Sequence, residues 1–459
     1  MKKTLYLCIE IKVRELLPKI YLSYLAAKNN YRIYLGSREE IFNLIINKKS
    51  RGGIFFYKAG LQNKLLEKID LKTDHHVVLD EEVAPGFTNA QYRNRVLSFH
   101  RETVNRISTF FYLNKKISNI VKNQYPQILK NKIISSGWPR FDILSKKYLK
   151  IFKKKVDLIK KNEKNFYLFV SDFGYMSKNY EVYANEYYPW GAKKNQIKKA
   201  KKLQVDEAKI TFEDFKKVTS FLIKYMRNNK SQKIIIRAHP TDSIVIWKKL
   251  LQGVKNIKLI KPTDDIIPWI LASSGVLHRG CTTSIQSKLV GKKVGYINLG
   301  SHNRKNKFFK EFLYSISNPI KGKKDLDKWL QNEDGKKKQD FVKKKFKLLN
   351  IISNRESGHV IMETLNKLLV KKENKIILKS KNNIFYGKIL LYKSIVLRKI
   401  LILLNKLKIV NKNMDRFDFT PKITNGINSN EVNYYLRLFK KKNSKISAKK
   451  INHELVVIE

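Results

Sequence analysis

Short aliphatic runs alternate with helix-spaced stretches twice along this chain, and that repetition restricts it to a doubly wound α/β architecture. In the first series TLYLCIEI (Thr4–Ile11), YRIYLGS, GGIFFYK, HHVVLDEE, STFFYLN and KIISSGW (Lys132–Trp138) read as strands. VRELLPKIYLSYLAAKNN carries apolar residues at helical spacing, with Pro18 at a first-turn or kink position. A second series opens with FYLFVSDFG and runs through EDFKKVTSFLIKYMRNN, KIIIRAHP, IVIWKKLLQG, IKLIK, DIIPWILASS, GVLHRG, TTSIQSKLVG and KVGYINL. Strands interleaved with helices call for parallel sheets covered on both faces. Two Rossmann-like domains are expected, one over 1–145 and one over 165–370. A lysine-rich helical connector, 146–164, joins them, and ligands enter a cleft between the carboxyl ends of the two sheets.

A chain of 459 residues is too long for one core, and 42% hydrophobic with 11% aromatic residues suffices to fill two. Cys8 and Cys281 are the only cysteines, which gives no disulfide framework and fits a reducing compartment. The opening MKKTLYLCIEIKVRE meets Glu10 and Lys12 too soon for a signal peptide. No apolar run reaches the ~18 residues of a membrane span. A cytoplasmic protein is expected. The formal charge of +58 raises nucleic acid as a partner, but the lysines are spread along the whole chain among Asn and Ile. Zinc-finger spacing, RNA-recognition signatures and aromatic-interleaved basic strips are missing, so nucleic acid is not expected. A basic surface suits an anionic membrane surface or an anionic nucleotide donor. Past residue 370, IFYGKILLYKSIVLRKILILLNKLKIV interrupts aliphatic runs with Lys and Arg, as an interfacial or a packing helix would. The polar stretch beyond Asn411 reads as a weakly ordered tail. Residues 371–459 are therefore expected to form a basic, helical to weakly ordered extension.

Three segments carry candidate chemistry. In LHRGCTTSIQSKLVGKKVGYI (Leu277–Ile297) a strand ends at His278 and Arg279, Gly280 turns the chain, and Thr282, Thr283 and Ser284 stand where a helix begins. Unpaired N–H groups and hydroxyls there suit a phosphate, with His278 and Arg279 expected to contact it as well, although the same residues also make an ordinary helix cap. KIIIRAHP stops a buried-type strand at Arg237, His239 and Pro240, so Arg237 and His239 stand as two cationic or donor groups at the cleft, both expected to hold the nucleotide phosphate. His239 is placed to donate to a phosphate oxygen of a departing nucleotide. HVVLDEEVAPG ends a strand in Asp80, Glu81 and Glu82, where a carboxylate can take the proton of an acceptor hydroxyl or simply meet nearby lysines. Lesser candidates line the same cleft: Gly137, Pro139 and Arg140 of SGWPRFD, as a guide for nucleotide or acceptor or as a hinge, and Ser171 and Gly174 of SDFG, over the donor base. Asp325 and Asp327 form a D-x-D at a helix start, where acids favour the dipole; no metal is assigned there.

REL near the start, LDEE, SSGWPRFDIL, RAHP, the W-x-L-A element before LHRGCTT, and GKKV occur in this order over residues 4–370. In that combination the chain resembles the bacterial surface carbohydrate biosynthesis proteins. That family is itself similar to GT-B glycosyltransferases and to the polyol-phosphate polymerases of wall teichoic acid synthesis. The resemblance implies a GT-B-like fold and transfer from a nucleotide sugar, its co-substrate, to a polysaccharide or lipid-linked saccharide, with no cofactor and no metal. Sialyltransferases and β-Kdo transferases of GT-B type pair an acidic motif with a His-Pro motif. By that likeness Glu81 or Glu82 is the base, His239 contacts the phosphate of a CMP-sugar, and Thr282 and Thr283 complete the phosphate site. Val83, Ala84 and Pro85 stand between Glu82 and Gly86, so both acids stay candidates. A CDP-polyol phosphotransferase, a sugar-nucleotide epimerase and a non-enzymatic membrane-docked scaffold remain the alternatives.

Overall fold

The computed structural model describes residues 2–47, 52–58, 73–81, 107–124, 132–173, 197–239, 242–299, 307–331, 336–368, 426–440 and 445–459, with single positions at 389, 392, 396 and 400. The chain divides into two compact units: Met1–Val83, Asn89–Ile143 and Leu349–Glu459 form the first, Ala84–Thr88 and Leu144–Leu348 the second.

In chain order the first unit begins β1 (Lys3–Ile9), α1 (Lys12–Lys28), β2 (Tyr31–Ser37), α2 (Arg38–Asn47), β3 (Ile54–Lys58), β4 (His75–Leu79), β5 (Ile107–Tyr112), α3 (Lys115–Gln124), β6 (Ile133–Ser135) and α4 (Pro139–Asp142). These six strands are parallel in the order β2-β1-β3-β4-β5-β6. Every residue of β3 and β5 is buried, as strands covered on both faces must be.

The second unit carries α5 (Lys153–Glu163), β7 (Tyr167–Val170), α6 (Ile197–Asn228), β8 (Ile234–Arg237), α7 (Ile244–Leu250), β9 (Ile257–Ile260), α8 (Ile267–Ala272), β10 (Gly275–His278), α9 (Thr283–Leu289), β11 (Val294–Ile297), α10 (Lys307–Ser315), β12 (Asn318–Ile320), α11 (Lys323–Gln331) and α12 (Lys336–Leu348). Its strands are parallel throughout, in the order β12-β11-β10-β7-β8-β9. Renumbered within the unit and read from the other edge, this is 3-2-1-4-5-6, the dinucleotide-fold order, with its reversal between β7 and β10. Helix α6 closes one face by setting Phe215, Val218, Leu222 and Met226 at helical spacing against Phe169, Ile236 and Trp247.

The chain then returns to the first unit through α13 (Ser357–Leu368), α14 (Ser429–Phe439), β13 (Ala448–Asn452) and β14 (Leu455–Ile458). Gly358 lets α13 approach α1: a Cβ there would sit 2.7 Å from atoms of both Leu25 and Tyr21. Two Rossmann-like α/β units are present as expected. Three features differ from the sequence reading. The lysine-rich stretch 146–164 clusters with the second unit, and the return to the first unit comes at Leu349 rather than near 370. The end of the chain is also not a loose tail. β14 pairs antiparallel with β2, and β13 with β14, extending the first sheet to eight strands. Val456 and Ile458 are fully buried, whereas Lys449 and Lys450 stay exposed and blunt the new edge.

Candidate functional site

In the second unit β10, β7 and β8 are adjacent and parallel. Their carboxyl ends therefore release Arg279–Thr282, Ser171–Phe173 and Ala238–His239 along one sheet edge. Neighbouring strands lie ~4.8 Å apart, which puts the exits of β8 and β10 roughly 10 Å from each other. The strand order reverses between β7 and β10, and in open α/β sheets ligands bind in the crevice at such a reversal. The RAHP exit and the GCTTS turn, expected to share a site, thus flank the exit of β7.

The expected groups differ sharply in exposure. His239 is exposed; its backbone N–H donates to Asp242 Oδ2 at 3.1 Å, and its carbonyl accepts from the Asp242 N–H at 2.9 Å. Arg237 is buried, donating through Nη1 to Asp264 Oδ1 at 2.8 Å and through Nη2 to the Asp264 carbonyl. Ser171, also buried, donates its hydroxyl to Asp242 Oδ2. At the start of α9, Thr282 is exposed and makes no side-chain cap bond. Thr283 is buried, and its hydroxyl oxygen accepts from Cys281 Sγ at 3.2 Å. Ser284 is fully buried and turns its hydroxyl back to the Cys281 carbonyl at 2.8 Å. Of the three hydroxyl residues proposed for a phosphate, only Thr282 is exposed. Gly280 takes φ +155°, a conformation that favours glycine and lets the turn leave β10. Gly174, Pro240 and Glu82 lie outside the described residues.

Arg279 anchors the edge from below. It is buried, donates through Nε to Asp172 Oδ1 at 3.2 Å and through Nη1 to Asp214 Oδ2, and lies over the Phe173 ring at 4.8 Å. Burial works to lower its pKa, but the carboxylates of Asp172 and Asp214 raise it above the usual value. Beside it Asp214, Lys217, Tyr296, Asn298 and Leu299 line a small hollow at the ends of β10 and β11.

His278 is one residue short of that edge, and the difference is decisive. It is fully buried and meets Tyr296 edge-on at 5.0 Å. Ser317 Oγ donates to the Leu313 carbonyl at 2.7 Å, so His278 Nε2 must carry the proton shared with Ser317 Oγ at 3.0 Å. Its Nδ1 has no hydrogen-bond partner. The expected phosphate contact at His278 is not made, because the ring points into the core. Burial lowers its pKa to about 3. The unfolded chain binds a proton there below pH ~6.5 that the native ring refuses, so stability is lost as pH falls from ~6.5 towards ~3, by roughly 4–5 kcal/mol at full effect. Three carboxyls act in the opposite sense over part of that range, since burial raises Asp142 to about 6, Asp242 to about 7 and Asp265 to about 6. The contribution of His278 is therefore read as a difference. Urea unfolding of His278→Phe, which leaves the Ser317–Leu313 bond in place, is expected to fall less steeply than wild type below pH 6. Parallel curves would contradict the assignment.

In the first unit, Glu81 is buried just past β4. Arg140 Nη2 donates to the Glu81 carbonyl at 3.0 Å, Arg140 Nε lies 3.8 Å from Glu81 Oε1, and the guanidinium stacks over Trp138 at 4.3 Å. Trp138 Nε1 donates to the Asp80 carbonyl at 2.8 Å. LDEE and SGWPRFD, read separately in sequence, are thus tied together. Gly137 has φ +79°, and a Cβ there would meet Ser357 Oγ at 2.6 Å. Pro139 begins α4, and Asp142 in the same helix accepts from the N–H groups of Ser357 and Gly358 at 3.0 and 2.8 Å. This segment seats the first turn of α13, which accounts for its glycine and proline.

Sequence reasoning missed the carboxylates that organise the edge, Asp172, Asp214, Asp242 and Asp264. Asp172 stood in view within SDFG, and Asp214 within the helical segment EDFKKVTSFLIKYMRNN. Among the described residues there is no cluster of three His, Cys, Asp or Glu side chains that could hold a metal ion, and no helix long and apolar enough to cross a membrane.

No protein-family model matches the chain, and no curated protein matches it. Among solved structures it is similar to the wall teichoic acid polymerase TagF, at 13% identity over 80% of this chain and 90% of that one, with a TM-score of 0.43. It is also similar to the UDP-GlcNAc 2-epimerase of Methanocaldococcus jannaschii, at 15% identity over 80% of this chain and 100% of that one, TM-score 0.47. A glycosyltransferase from Rickettsia africae ESF-5 shares 10% identity over 82% of this chain and 100% of that one, TM-score 0.40. The fold assignment rests on the strand orders, not on these likenesses.

Proposed function

We propose that the chain is a glycosyltransferase that moves a sugar from a nucleotide-activated donor, with a CMP-sugar among the candidates, to a hydroxyl of a growing cell-surface polysaccharide or lipopolysaccharide acceptor. The observation that carries this reading is the switch-point edge of the second unit, where His239, Thr282 and the Gly280 turn emerge beside the anchored Arg279. In the reaction, the acceptor oxygen bonds to the anomeric carbon as the bond from that carbon to the donor phosphate oxygen breaks. The nucleotide leaves with the electron pair, and its phosphate charge is met by His239, Thr282 and the turn's backbone. Glu81 or Glu82 receives the hydroxyl proton. Buried Arg237 and Arg279 fix the edge rather than neutralise the donor, because Asp264, Asp172 and Asp214 already balance their charge. The pull on an anionic donor comes from exposed cations such as His239 when protonated and Lys217, and from the overall +58 charge. Protein donors, not a metal, carry the leaving-group charge in this scheme.

Thermal melting with CMP-, CDP-, UDP- and GDP-linked ligands tests it. A ligand at a hundred times its Kd stabilises the native state by about 2.7 kcal/mol, so one nucleotide class should raise the melting point by several degrees. No shift with any of the four would sink the enzymatic reading. A CDP-polyol donor would point to a phosphotransferase, and conversion of the nucleotide sugar without acceptor to an epimerase. A membrane-docked scaffold is the second reading, favoured by one observation. Ile389, Tyr392, Val396 and Ile400 are helical and exposed at the spacing of a single helix face. Lysines and arginines stand between them in sequence. The same face fits a cytoplasmic enzyme held at an anionic membrane surface. Binding to anionic vesicles without any nucleotide-induced shift would favour the scaffold.

A further inference from the structure

We infer that Asp242 is the positioning residue for His239: its carboxylate clamps the β8 exit to β7 and to α7, and so fixes where the imidazole stands at the switch-point edge. This rests on the proposed role of His239. The geometry is unusually one-sided. Oδ2 of Asp242 accepts three donors, the Ser171 hydroxyl just past β7, the His239 backbone N–H, and Trp247 Nε1 of α7 at 3.1 Å. Oδ1 is buried and has no hydrogen-bond partner. The Asp242 N–H returns to the His239 carbonyl at 2.9 Å, so the two residues hold each other through both backbones. Trp247 is itself fully buried, edge-on to Phe215 at 5.4 Å, which ties the clamp to the core of the second unit.

A carboxylate buried with one bare oxygen is costly, and burial pushes this one up to about 7. A neutral amide can do the same bonding work at lower cost. An asparagine oxygen placed where Oδ2 lies can accept all three donors, while its NH₂ takes the bare position. Asparagine is therefore the rescuing substitution, and alanine the one that releases the loop.

Hydrogen exchange of the peptide covering 236–243, together with transfer kinetics, tests this in full-length protein carrying Asp242→Ala, Asp242→Asn or His239→Ala. Asp242→Ala is expected to speed exchange of the His239 amide and lower transfer about 10–100-fold, the scale of a misplaced catalytic contact. Asp242→Asn is expected to restore slow exchange and transfer to within about threefold of wild type, the residual being small because every bond on Oδ2 is kept. Wild-type exchange and transfer in Asp242→Ala would overturn the inference, as would an Asn variant as impaired as the Ala variant. Should Asp242→Ala fail to fold, the Asn variant decides alone by the same two criteria. Fast exchange in Asp242→Ala alongside wild-type transfer in His239→Ala would leave the clamp standing and remove the role of His239, so the two failures are distinct.

Discussion

His239→Ala is expected to transfer sugar about 10²–10³-fold more slowly than wild type, the loss seen when one preorganised donor to a developing charge is removed. Its melting point should stay close to that of wild type. Both halves follow from the same geometry. The imidazole is exposed, so its removal opens no cavity, and changes at exposed positions usually stay within about 0.5 kcal/mol. The bonds that hold the loop run through the His239 backbone to Asp242, and alanine keeps them. Steady-state kinetics with the donor identified by melting, read beside the melting curve of the variant, decide the matter. Wild-type turnover would strip His239 of its assigned role; a large fall in melting point would show that the ring is structural.

The second large effect is on stability. Arg279→Met should destabilise the second unit by about 3–5 kcal/mol, the cost of breaking a buried pair and leaving its carboxylates uncompensated. Asp214 is even more deeply buried than the arginine, and Asp172 shares the same guanidinium. Arg279→Lys should rescue little, since an ammonium cannot span two carboxylates as a planar fork does. Adding Asp214→Asn to Arg279→Met should recover part of the loss, because the lone buried charge goes with it. Urea unfolding of the four proteins measures this. A loss below about 1 kcal/mol for Arg279→Met would place the group in water and undo its description as the anchor of the edge.

How much of this was legible in the sequence depended on whether the signal was local. The strands β1 to β11 announced themselves as aliphatic runs such as YLFV, IIIR and VGYI, which read strand in almost any context. β12 did not, because Asn-Pro-Ile is three residues long and holds a proline. β14 was hidden by its neighbourhood: LVVI is a strand signal, but it follows a lysine-rich polar stretch that reads as a tail, and only pairing with β2, more than 400 residues away, gives it a place. The site shows the same division. Arg237 and His239 were found because an aliphatic strand stops abruptly at them. That Arg237 is spent on Asp264, 27 residues on, and Arg279 on Asp214, 65 residues back, is a tertiary fact with no local trace. His278 shows how fine the margin is. A strand-exit argument is good to about one residue, and in a strand covered on both faces that margin decides whether a group reaches the sheet edge or, like His278, stays in the core.

The claim on which the rest depends is that nucleotide binds at the crevice between β7 and β10. Hydrogen exchange of the full-length chain, with and without a saturating stabilising nucleotide, locates that binding directly. The account expects protection to concentrate in peptides covering 171–173, 238–242 and 279–285. Protection confined to other segments, with these three unchanged at saturation, would contradict it.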